Sequence, residues 1–150
     1  DFSAQQVDTH GREERDNILN QLSELNKVSK EIVELTKTYN LFLFEGEMGS
    51  GKTTLISSVV SILGVKDANS PTFSIINTYF GDSRHTIYHI DCYRIEDENE
   101  VENIGLLEII NDKNLCFIEW PQNIYNFLPS NCVRINITVD KGLRKINIKT

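Results

Sequence analysis

The sequence predicts a three-layer α/β fold with a mixed parallel and antiparallel central sheet, and three observations lead to it. Residues 46 to 53 read GEMGSGKT and match the phosphate-loop pattern G-x-x-x-x-G-K-[ST]. The loop has the required setting: a short apolar run, NLFLFE from Asn40 to Glu45, reads as a buried strand entering it. KTTLISSVVSIL, residues 52 to 63, reads as the helix leaving it, with Gly64 placed as its stop. Further strand-like runs, some apolar throughout and some alternating, follow between turn signals, so the sum is a sheet of mixed direction with helices on its faces.

Taken in order, the first sixteen residues, DFSAQQVDTHGREERD, are polar, aperiodic and poor in large apolar side chains. They are expected to form a disordered extension or a cloning remnant, with one domain over 17–150. Ser23 is the expected N-cap of a helix in which Leu25, Val28, Ile32 and Leu35 recur at helical spacing. Beyond the phosphate loop and its helix, Ser70-Pro71-Thr72 breaks the chain. FSIINTYF and HTIYHID, separated by GDSR, then read as an antiparallel hairpin. An acidic stretch from Glu96 to Glu102 opens a helix expected to run on through LLEII, and LCFIE is a buried strand ending at Glu119. Pro121 opens a short helical turn. CVRINITVD and LRKINIK alternate around Lys141-Gly142, the pattern of a terminal hairpin.

A chain of 150 residues buries one respectable core and leaves little room for a second domain or a large lid. With 15 basic against 22 acidic residues the net charge is −7, which disfavours autonomous tight binding to nucleic acid through phosphate contacts. The basic residues Arg134, Lys141, Arg144, Lys145 and Lys149 gather near the end, and a solvated face is the favoured reading of that cluster. Cys92, Cys116 and Cys132 form no C-x-x-C unit, and no secretory signal or long apolar span is seen. A reduced, cytoplasmic protein with buried cysteines of no chemical role is expected.

The loop glycines let backbone N–H groups turn inward around phosphates, Lys52 supplies a compact positive charge, and the Thr53 hydroxyl is suited to Mg²⁺. The nucleotide-contacting run is accordingly Gly46, Glu47, Met48, Gly49, Ser50, Gly51, Lys52, Thr53 and Thr54. Asp91 and Glu119 each close an apolar strand and so are candidates to reach a ligand crevice at the carboxyl ends of the sheet. The longer reach of Glu119 suits either a water-mediated metal contact or orientation of an attacking water. Ser70 and Thr72 either sense a γ-phosphate as a switch loop or form a plain turn, and on their own the turn is favoured. His89 packs or positions Asp91, since no third ligand with zinc spacing accompanies it. Arg94 is a phosphate clamp or, more commonly for such a residue, a surface ion-pair partner. Trp120 either walls the pocket or fills core.

In sequence order, GEMGSGKTT, SPTFSIINTY, YHIDCYRI and FIEWP closely resemble the signature of the bacterial TsaE family, the ATPases of tRNA threonylcarbamoyladenosine biosynthesis. The resemblance spans about residues 17 to 150 and implies a P-loop NTPase-like fold. It implies that Lys52 and Thr53 bind phosphate and Mg²⁺, that Ser70 and Thr72 form a switch-like loop, and that Asp91 and Glu119 complete the metal and hydrolysis machinery, with Trp120 near the nucleotide. By the same resemblance Mg-ATP is bound and slowly hydrolysed to reset a complex with TsaB and TsaD. That complex modifies adenosine 37 of tRNA, which this chain meets only through its partners. Two rival readings remain at this point: a small-molecule kinase in which Arg94 holds the acceptor, and a nucleotide-gated binding module. The small size and the acidic segment 96–112 count against the kinase's arginine-bearing lid.

Overall fold

Leu41, Phe42, Leu43 and Phe44 offer water no polar face, and the fold buries all four in the middle of a sheet. The computed structural model describes residues 3–7, 13–19, 22–66, 75–81 and 86–150. The chain runs through β1 (Ser3–Val7), β2 (Glu13–Leu19), α1 (Leu22–Leu35), β3 (Leu41–Gly46) and α2 (Lys52–Ile62). It continues through β4 (Ile76–Phe80), β5 (Thr86–Asp91), α3 (Glu98–Asn103), α4 (Leu106–Asn111) and β6 (Leu115–Glu119). A 3₁₀ segment (Pro121–Phe127), with Pro121 in its first turn, leads to β7 (Val133–Asp140) and β8 (Leu143–Lys149).

These strands form one eight-stranded sheet in the order β1-β2-β8-β7-β3-β6-β5-β4. Its centre is parallel: β3 pairs with both β6 and β7, and β6 with β5, while β4, β8, β2 and β1 are added antiparallel. Parallel pairing brings the carboxyl ends of β3, β5 and β6 to the same edge. There Asp91 stands in register with Glu119, and Glu119 with Phe44.

Two apolar layers sandwich the sheet. On one face Val28 and Ile32 of α1 and Leu55, Ile56 and Val59 of α2 pack over Phe42, Phe44, Phe117, Ile135 and Ile146. On the other, Val101, Leu106, Ile110 and Ile124 cover Leu41, Leu43, Ile90, Cys116 and Ile118. The expected three layers are therefore present. Cys92, Cys116 and Cys132 are all free and buried, and burial pushes the thiols of Cys92 and Cys116 up to about 12.

Three expectations are corrected. Ser3–Val7 and Glu13–Asp16, expected as a disordered extension, are strand residues: β1 pairs with β2, and β2 with β8. Ladder hydrogen bonds are made by the backbone, so a polar run without apolar periodicity can fill an outer strand. Ser23 lies inside α1, which starts at Leu22, so it is not the residue before the helix. The acidic helix does not run on through LLEII. It ends at Asn103, and α4 restarts after Gly105, whose φ of 72° interrupts the α-helical path. The tail hairpin turns as expected at Lys141 and Gly142, with φ of 51° and 80°, the primed geometry of a two-residue hairpin loop. The break at Ser70-Pro71-Thr72 and the turn after Gly81 lie outside the described residues. Among the described residues no helix is long and apolar enough to cross a membrane.

Candidate active site

The loop between β3 and α2 is shaped by what its glycines lack. A Cβ on Gly46 would stand 2.7 Å from the Ile137 carbonyl oxygen of β7 and 2.7 Å from Ser50 Oγ. The carbonyl belongs to the sheet and cannot swing aside. Gly46→Ala is therefore expected to cost about 1–3 kcal/mol of stability by forcing the loop off β7. Urea unfolding measures this, and a midpoint equal to that of the unsubstituted chain would refute the close approach. Gly51, with φ of 106°, precedes the helix and accepts its first hydrogen bond, from Leu55 N at 3.0 Å. The free N–H groups of the first turn of α2 are thus presented at the loop, where backbone donors and the helix dipole favour an anion.

Lys52 starts α2 with its side chain buried. Its Nζ donates to the Gly46 carbonyl at 2.5 Å and lies 3.7 Å from the centre of the Trp120 ring. Burial lowers its pKa from the ordinary lysine value, and the carboxylates of Glu119 and Asp91 oppose that shift. An ammonium held by one carbonyl and one aromatic face has unspent capacity for an anion.

Glu119 is 4% exposed and held from two sides. Thr53 Oγ1 lies 3.0 Å from each carboxylate oxygen, and His89 Nε2 lies 2.5 Å from Oε2. A carboxylate only accepts, so both neighbours donate. The alternation of β5 puts His89 and Asp91 on one face, as expected, but the partner of His89 is Glu119 rather than Asp91. The register explains it: His89 stands opposite Phe117 and Asp91 opposite Glu119, so the imidazole reaches diagonally along β6. Asp91 Oδ1 accepts from Tyr93 N at 3.0 Å, which fixes the carboxylate where the strand ends.

Lys52, Thr53, Thr54, Asp91, Glu119 and Trp120 line one cavity of about 320 Å³, together with Met48, Gly49 and Gly51. The other three residues of the expected run, Gly46, Glu47 and Ser50, line a neighbouring cavity of about 480 Å³ against β7. Ser50 is buried there with no partner for its Oγ among the described residues. Ser70 and Thr72 lie outside the described residues. Arg94 is exposed and lines neither cavity. Trp120 lines the cavity and, partly buried, packs on the layer containing Ile118 and Ile124. Its φ of 56° turns the chain at the end of β6, and its ring lies 5.0 Å from that of Tyr93.

Two residues of the cavity wall, Tyr93 and Arg144, were not among the site residues expected from the sequence. The signal for Arg144 was present in alternation: Arg144, Ile146 and Ile148 share one face of β8, and the two isoleucines are buried on the α2 side.

The family described as threonylcarbamoyl adenosine biosynthesis protein TsaE matches residues 19–146. A tRNA threonylcarbamoyladenosine biosynthesis protein TsaE of Rickettsia felis is 33% identical over 136 residues, 89% of this chain and 78% of that protein. The protein of the same name from Bacillus subtilis is 36% identical over 115 residues, 76% of this chain and 71% of its own length. The one from Rickettsia bellii is 32% identical, covering 87% and 92%. The crystal structure of Bacillus subtilis YdiB is alike in fold, with a TM-score of 0.69 at 24% identity over 95% of this chain and 88% of that one. With the family match spanning most of the sheet and the whole cavity, the chain belongs to the TsaE family of threonylcarbamoyladenosine biosynthesis proteins.

Proposed function

We propose that this chain is a Mg²⁺-dependent ATPase that supports threonylcarbamoylation of tRNA adenosine 37 alongside TsaB and TsaD. In this reading ATP binding and hydrolysis reset the partner complex between turnovers, and tRNA is met only through that complex. The observation that carries the reading is the convergence, on one cavity, of the phosphate loop, Lys52 and Thr53 with two strand-end carboxylates, Asp91 and Glu119. Phosphoryl transfer asks of a protein mainly this: positioned donors for phosphate, oxygen ligands for a metal, and a group to aim the nucleophile. Family membership supports the pathway, and the acidic net charge of −7 supports indirect contact with tRNA. Three free, buried cysteines fit a reduced cytoplasmic setting.

The Thr53 hydroxyl and the carboxylates of Asp91 and Glu119 are hard oxygen donors of the kind Mg²⁺ takes alongside water and phosphate, so these residues fit the ion and are those that would hold it. Bound Mg²⁺ supplies neutralisation of the charge that develops on the transferred phosphoryl group. Lys52 exchanges the Gly46 carbonyl for phosphate oxygens, a trade of a neutral acceptor for a charged one. Glu119 keeps its His89 contact when the Thr53 hydroxyl turns to other work, so the carboxylate stays aimed while one of its lone pairs is freed for a water. His89 is thereby a positioning residue for Glu119.

Phosphate release from Mg-ATP tests the reading directly, with Thr53→Ala as the blank. The purified chain is expected to release phosphate slowly and to be stimulated several-fold on adding TsaB and TsaD together. Release no greater than that of the blank, with and without the partners, would sink the hydrolytic role.

A further inference from the structure

We infer that Arg144 is a nucleotide-positioning residue whose guanidinium holds the α,β-diphosphate at the end of the cavity remote from Asp91 and Glu119. This rests on the nucleotide reading of the site. The sheet order β8-β7-β3-β6-β5 places the strand of Arg144 on one side of the phosphate loop and the two carboxylates on the other. A nucleotide whose terminal phosphate lies at the carboxylates therefore runs back toward β8.

Arg144 is exposed but tied to the loop. Its Nε donates to the Ser50 carbonyl at 2.9 Å, and it lies 3.1 Å from where a Cβ on Gly51 would be. The missing side chain of Gly51 thus makes room for the guanidinium as well as for the positive φ. The Nε bond spends one of the five N–H donors of arginine and none of its charge. Among the described residues no carboxylate forms an ion pair with Arg144, and it lines the same cavity as Lys52 and Thr53. Four remaining donors in a planar fork, next to a helix N-terminus, match the oxygens of a diphosphate. Contact with the α,β-diphosphate, which ADP and ATP share, makes this an affinity contribution common to both nucleotides.

The test is calorimetric titration of the full chain with ADP and with a non-hydrolysable ATP analogue, each in Mg²⁺ and in EDTA. The variants are Arg144→Gln and Arg144→Lys, with nucleotide-free melting curves to confirm folding. Arg144→Gln is expected to weaken both ligands by about the same factor, roughly tenfold, with and without metal, as for loss of one charged hydrogen-bonding group. Arg144→Lys should recover part of this, because it restores charge without the Nε bond to Ser50. An Arg144→Gln chain that binds ADP within twofold of the unsubstituted one overturns the inference. So does an equal loss in both variants, which would mean that the residue only pins the loop, or a loss confined to the ATP analogue, which would put the guanidinium at the γ end. Failure of the unsubstituted chain to bind ADP at all would instead overturn the nucleotide reading itself.

Discussion

Glu119→Gln should bind ATP and ADP within about threefold of the unsubstituted chain yet release phosphate at least about a hundredfold more slowly. Glutamine has the shape of glutamate, so the packing at the end of β6 is kept. The neighbours adapt as well: a threonine hydroxyl both donates and accepts, and neutral imidazole has one nitrogen of each kind. What the amide lacks is the charge and the proton affinity of the carboxylate. Those are the properties needed by a group that orients and deprotonates an attacking water, and Glu119 is the carboxylate held by both Thr53 and His89. Asp91 is tied to a backbone N–H at the strand end and remains to hold the metal when Glu119 is changed. Single-turnover phosphate release alongside nucleotide titration separates the two effects. Release at more than a third of the unsubstituted rate would remove Glu119 from the chemistry and leave a nucleotide-gated binder as the better account.

The parts of this arrangement that were legible in the sequence are those in which one residue type has one physical use. A loop needs glycine where backbone meets backbone, and Gly46 against Ile137 O is such a place. Strands buried on both faces announce themselves as unbroken apolar runs, as LCFIE does, and their last residue marks the crevice. Pairings between distant segments were less legible. His89 was read against Asp91, its neighbour in sequence, because the register that brings it to Glu119 is a property of β5 beside β6. Arg144 was read as part of a solvated basic cluster and is indeed exposed, but its hydrogen bond to the Ser50 carbonyl was not legible, because β8 reaches the loop after β3 only through the order β8-β7-β3. The hairpin of β1 and β2 carried no apolar period to read, since its place in the sheet depends on backbone pairing to β8.

Phe117→Ala is expected to destabilise the chain by about 3–5 kcal/mol, against a total of about 5–15 kcal/mol for a domain of this kind. The ring is fully buried and contacts Phe42 and Phe44 at centroid distances of 5.4 and 5.9 Å. It lies on the central parallel pair, where α2 on one side and the sheet on the other leave the neighbours little freedom to collapse into the void. The same ring stands in register with His89 on β5 and with Phe42 on β3, two residues before Glu119 on the same face of β6. A cavity there loosens the floor beneath the His89–Glu119 pair. Phosphate release should consequently fall at 25 °C while the chain is still folded, and nucleotide affinity, set mainly by the loop and Lys52, should fall less. Urea unfolding followed by circular dichroism measures the first effect, and phosphate release with ADP titration measures the second. A stability loss below about 1 kcal/mol would mean that the site collapses around the missing ring. Release and affinity falling by equal factors would mean that the aromatic core supports the loop as a whole and has no particular hold on Glu119.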